Sequence, residues 1–164
     1  AAFCLHLPYP KLALKGLNKI IPKDLNPENK ERLTSTFEAS ITYSRQIGNI
    51  YTGSLYLGLL SLLEQSQNLK TGDKIGFFSY GSGAVSEIFS GRLVEGYKDM
   101  LRSDRLDIFA QRHNLSVADY EQLFYEEAQL DDTGSTQFNT YQTGPFRLTE
   151  ISEHQRIYKG NQND

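Results

Sequence analysis

IYTGSLYLGLLSLLE, residues 50–64, is the stretch on which the fold turns. Its spacing predicts a helix, but its apolar side chains run nearly all round rather than along one face. Such a helix has no side to give to water and must be covered from several directions. Ser54, Gly58 and Ser61 form a small-residue stripe along it, against which another backbone can approach closely. Strand and helix patterns are interleaved on either side of this segment, which gives the α/β class and a layered sandwich.

Outward from there, Gly48-Asn49 interrupts the pattern on the N-terminal side. Before it, Asn26-Pro27 starts a helix: Asn caps, and Pro loses nothing at the first helical position. That helix is expected to bury Leu33, Phe37, Ile41 and Ser44. Ala2 to Leu7 reads as a short strand ended by Pro8 and Pro10, and Lys11 to Ile21 as a helix stopped by Pro22. On the C-terminal side, Thr71-Gly72-Asp73 is a turn and Lys74 to Tyr80 a strand. Gly81-Ser82-Gly83 breaks it, Ala84 to Phe89 resumes, and a turn comes next at Ser90-Gly91. Residues 95–112 read as helical in part. Ser116 with Asp119 makes a capping box for a helix bearing Tyr120, Leu123 and Phe124. Asp131 to Gly144 is loop, and Phe146 to Tyr158 a last strand or hairpin.

The composition narrows the function classes. With 38% apolar and 23% charged residues the 164-residue chain is globular, and a net charge of −3 gives no reason to expect nucleic acid or an anionic membrane as partner. One cysteine, Cys4, excludes an internal disulfide framework and a multi-cysteine zinc site, so neither metal nor cofactor is implied. No apolar run reaches the roughly 20 residues that span a bilayer. The first residues, AAFCLHLP, are too short and uncharged for a signal peptide. The chain opens directly in a strand with no initiator Met, which reads as a segment of a longer polypeptide.

Three places can carry chemistry, and each has a bland alternative. His6, at a strand end before a Pro-bent loop, can donate to a carbonyl or shuttle a proton near neutral pH; equally it can be a strand-end His bonded to backbone. Lys11 and Lys15 share a helix face, and a bound phosphate would reverse the dipole penalty of Lys11 in a first turn; otherwise they are a solvated face. Asn49 can hold a carbonyl or cap the helix after it. Ser82 lies in Ser79-Tyr80-Gly81-Ser82-Gly83, where glycines let a ligand approach the backbone, or where they simply make a tight turn. That segment is neither a P-loop nor GxGxxG. Cys4 and His6 point to one face of a strand, but a small buried Cys is core filling far more often than a nucleophile.

Three ordered segments carry a resemblance: FCLHLPYPKLALKGL (3–17), QIGNIYTGSLYLGLLSLLE (46–64) and KIGFFSYGSGAVSEIFSGRLVEGY (74–97). In order and spacing they resemble the hydroxymethylglutaryl-CoA synthases, of bacterial type. LSVADYE (115–121) and the RLTEI and RIY near the end are looser matches. The resemblance implies the C-terminal half of a thiolase-like fold, one domain over residues 1–164, in a cytoplasmic homodimer. It implies the condensation of acetyl-CoA with acetoacetyl-CoA in the mevalonate route to isoprenoids, with His6 as the catalytic histidine. Lys11 and Lys15 would face the CoA phosphates, Asn49 the acyl oxygens, and Ser82 the acyl pocket. The family's nucleophilic cysteine and its glutamate belong to the other half. A chain with only this half is expected to be inactive alone and to self-associate through uncovered apolar surface. Another thiolase-fold acyltransferase, such as a ketoacyl synthase, is the first alternative; the H-x-P-Y-x-K pattern and the run from SYGSG to LVEGY argue against it. A non-catalytic binding or dimerisation module is the second.

Overall fold

The structure is a computed structural model and describes residues 2–6, 9–81, 83–138 and 146–160. The chain divides into two compact units, Ala1–Ser103 and Asp104–Asp164.

In the first unit the order is β1 (Ala2–Leu5), α1 (Pro10–Ile20), α2 (Pro27–Ile47), α3 (Gly53–Gln65), β2 (Lys74–Tyr80) and β3 (Ser86–Arg92), followed by a 3-10 turn at Tyr97–Met100. The sheet runs β1-β2-β3. β1 pairs with β2 in parallel, Ala2 opposite Ile75, and β3 returns antiparallel to β2. A parallel pair needs a long crossover, which α1, α2 and α3 supply.

Alternate residues of β1 serve two cores, as a period of two demands. Ala2 and Cys4 join Leu55 and Leu62 of α3 with Ile75 and Phe77 of β2. Leu5, with Phe3 beside it, joins Ala13 and Leu17 of α1 and Phe37 and Ile41 of α2. β1 is thus covered on both faces, the layered arrangement expected of a buried parallel strand. α2 begins as expected, with the Asn26 side chain accepting from the Asn29 N–H at 2.8 Å and Pro27 in the first turn. Phe37, Ile41 and Ser44 are buried, and Leu33 is half-buried.

The small-residue stripe of α3 lies against α2. Ser54, Gly58 and Ser61 are all buried. The Ser61 hydroxyl donates to the Ala39 carbonyl at 2.6 Å and accepts from the Tyr43 N–H at 3.2 Å, stitching the two helices. The helix starts later than its sequence pattern, at Gly53, because Tyr51 takes a left-handed φ of +62°. Its cover is also incomplete, with Tyr56 61% exposed.

The turn expected at Ser90-Gly91 does not form. β3 continues to Arg92, with Ser90 opposite Gly76 and Gly91 opposite Ile75. These small residues make room for neighbouring rings. A Cβ on Gly76 would lie 2.5 Å from the Phe3 ring, and Phe77 stacks on Phe89 at 4.8 Å. At the far end of the sheet, the Gly72 N–H donates to the Leu93 carbonyl and the Leu93 N–H to the Asp73 carbonyl.

The second unit holds α4 (Arg105–Ala110), α5 (Val117–Tyr125) and an antiparallel sheet of β4 (Thr136–Gln137), β5 (Phe146–Ser152) and β6 (Gln155–Gly160). The capping box is present: the Ser116 hydroxyl accepts from the Asp119 N–H at 3.1 Å while the Asp119 carboxylate accepts from the Ser116 N–H at 3.3 Å. Glu153 and His154, both at positive φ, turn the closing hairpin.

Candidate functional site

Parallel strands deliver their C-terminal ends to one edge of a sheet, where strand ends and the loops beyond them can build a site. Here β1 ends at Leu5-His6 and β2 at Phe78-Ser79-Tyr80. The His6 N–H donates to the Phe78 carbonyl at 2.8 Å, which extends the ladder one residue past β1 and fixes where the imidazole starts. A trough of about 550 Å³ opens between these ends and α1. Leu5, Leu12 and Phe78 line its apolar wall, and His6, Lys15, Asn18, Lys19 and Tyr80 are its polar groups. Among the described residues the His6 ring makes no hydrogen bond, so the reading of a His bonded to backbone through its side chain finds no partner there.

α1 begins at Pro10 with no side-chain cap from Tyr9 and no acidic residue in its first turn. Lys11 and Lys15 are exposed one turn apart on it. Lys15 reaches the trough, and Lys19, a further turn on, also lines it. Lys11 does not line it.

Asn49 is exposed on the turn joining α2 to α3. Gly48 opens the turn at φ +82°, a conformation that L side chains rarely adopt. The Asn49 side-chain oxygen accepts from the Tyr51 N–H at 2.9 Å and from the Ser54 hydroxyl at 3.1 Å. It therefore ties one free N–H of the turn, as a cap would, but α3 itself starts from Thr52 without a side-chain cap. Asn49 does not line the trough, and Ser82 lies outside the described residues. The structure thus brings His6 and Lys15 together with Phe78, which sequence reasoning did not single out, and Tyr80, which it read only as part of the glycine-containing turn. Their signal was their place at the end of a strand parallel to the one carrying His6. Ser54 was read only as helix packing; its spacing five residues after Asn49 is the mark of its second contact.

Cys4 is 1% exposed among the apolar side chains of the first core. Burial pushes its thiol up to about 12, so it stays protonated and cannot serve as a nucleophile near neutral pH. Among the described residues no group of three or more His, Cys, Asp or Glu could hold a metal. No described helix is long and apolar enough to cross a membrane.

A parallel strand covered on both faces, a histidine at its end and a lysine-edged apolar trough beside it define a layered α/β unit with a candidate binding site at its strand ends. Comparison with known proteins narrows this. The family model described as hydroxymethylglutaryl-coenzyme A synthase C terminal matches residues 11–160. A curated hydroxymethylglutaryl-CoA synthase of Enterococcus faecalis is 47% identical over 131 residues, covering 79% of this chain and 34% of that protein. A crystal structure of an HMG-CoA synthase complexed with CoA superposes with a TM-score of 0.87 at 65% identity, over 98% of this chain and 41% of that one. A Streptococcus mutans protein of known structure gives a TM-score of 0.83 at 62% identity, over 98% of this chain and 43% of that one. The chain belongs to the hydroxymethylglutaryl-CoA synthase family and corresponds to its C-terminal part. It spans less than half the length of the relatives it matches. His6 precedes the residues that the family model matches, within the span that the solved structures cover.

Proposed function

We propose that this chain supplies the C-terminal half of a hydroxymethylglutaryl-CoA synthase, an acyltransferase that condenses acetyl-CoA with acetoacetyl-CoA and releases CoA. The observation that carries the reading is the apolar trough with His6 at one end and Lys15 at its edge. An acyl-CoA has a long uncharged pantetheine arm and is anionic at its phosphates, and the trough offers an apolar wall beside lysines. Lys11 sits in the first turn of an uncapped helix without acidic competitors, with Lys15 one turn on, a setting that favours phosphate. His6, with an unpartnered ring among the described residues, orients the acetoacetyl thioester. Asn49 presents a hydrogen-bond donor to an acyl oxygen, where negative charge develops during addition to the carbonyl. Ser82 comes two positions after Tyr80 of the trough, and the family resemblance is what assigns it to the acyl pocket. With its thiol protonated and buried, Cys4 leaves the acyl-accepting cysteine, and the glutamate that moves the proton, to the part of the relatives that this chain does not span. The assembled enzyme is a cytoplasmic homodimer and the route served is the mevalonate pathway.

The test is condensation by the polypeptide that joins this chain to the complementary N-terminal part found in its relatives. Acetoacetyl-CoA should be consumed with acetyl-CoA, and His6→Ala should lower kcat/KM by about 100-fold or more, the scale of a lost acid-base or orienting group. Turnover of malonyl-linked substrates in place of acetoacetyl-CoA would leave the fold and discard the synthase reading.

A further inference from the structure

An N–H can only donate, so the side-chain atom of Asn49 that meets the Tyr51 N–H at 2.9 Å is oxygen. That contact sets the orientation of the carboxamide. Ser54 completes the arrangement. Its Oγ accepts from the Ile50 N–H at 3.0 Å, so its proton is left for the Asn49 oxygen, 3.1 Å away. With two donors on the Asn49 oxygen, the group that the exposed amide has to offer outward is Nδ2. Ser54 itself is 0% exposed and touches no solvent. The turn needs such a brace. Tyr51 stands at φ +62°, a conformation strained for a non-glycine residue, and Thr52 gives α3 no side-chain cap.

We propose that Ser54 is a positioning residue, which acts through Asn49 by holding its carboxamide with Nδ2 presented as the donor to substrate. The proposal rests on the reading of Asn49 as a substrate-facing group. It differs from a packing role in what it predicts. A hydroxyl that only fills the α2–α3 contact affects stability whatever stands at position 49. A hydroxyl that aims an amide matters to turnover only while the amide is there.

A double-mutant cycle on condensation by the joined polypeptide separates the two. Ser54→Ala should lower kcat about tenfold with KM for acetoacetyl-CoA within about twofold, and should change kcat less than about twofold when placed on Asn49→Ala. Equal losses in the two backgrounds would overturn the positioning role while leaving Asn49 its function. So would full turnover by Ser54→Ala. An Asn49→Ala enzyme with undiminished kcat would overturn the reading of Asn49, and the role of Ser54 with it. Should Ser54→Ala not fold, the same cycle is run with Ser54→Cys, which keeps the volume but makes only a weak donor.

Discussion

At the scale of single residues, burial and hydrogen bonding divide groups that look alike in the sequence. Cys4 and His6 stand two apart at one strand end, yet the thiol is sealed in a core and the imidazole opens on a trough. Because burial raises the thiol pKa to about 12, Cys4 should resist alkylation in the native state at mildly alkaline pH and react only on unfolding. Mass spectrometry of iodoacetamide-treated native and urea-unfolded protein checks this; fast native labelling would contradict the burial. His6 was singled out in the sequence only through the long ordered segments around it, since a lone histidine specifies nothing. The orientation of Asn49 was not legible at all. It depends on which atom meets the Tyr51 N–H, and no residue pattern encodes that.

At the scale of elements, Asp73 ties the turn before β2 to the start of α2. Its carboxylate accepts from Arg32 at 2.9 Å and from the Lys70 N–H at 3.0 Å. Burial by itself raises its pKa, but the Lys70 N–H and the Arg32 guanidinium together outweigh burial and hold the carboxyl below its ordinary range. A depressed native pKa stabilises the fold above the unfolded value of about 3.9, and that stability is lost as pH falls through the native pKa. Asp73→Asn should therefore destabilise by about 1–2 kcal/mol near neutrality and by progressively less in acid. Urea melts across that range measure the difference, and a constant gap would exclude the ion pair as its source. The elements whose punctuation is chemical were readable: Asn26-Pro27 and Ser116 with Asp119 cap where their side chains dictate. Ser90-Gly91 misled because small residues serve a packed strand as well as a turn. There the pairing with β2 decides, Ser90 opposite Gly76 and Gly91 opposite Ile75, and the sequence of β3 does not contain it.

At the scale of the whole molecule, β3 stands out. It is an edge strand of its sheet, all seven residues are exposed, and Ile88 is 78% exposed, with Val85 before the strand and Val94 after it at 70% and 68%. An open strand edge with apolar side chains is a template for pairing with another chain. The 164-residue chain on its own should self-associate in sedimentation velocity, and Ile88→Lys should shift it toward monomer; unchanged sedimentation would locate the association elsewhere. The pairing of β1 with β2 also bears on the order of events during folding. Ala2 meets Ile75 across a long intervening stretch of chain, and closing so long a loop costs about 4 kcal/mol of chain entropy. α2 and α3 are joined by a short turn and can zip together early, in a local step. β1, whose pairing closes the longer loop, is expected to dock after them, against the helices and β2. His6 takes its place with that step, so the trough exists only once β1 has paired with β2.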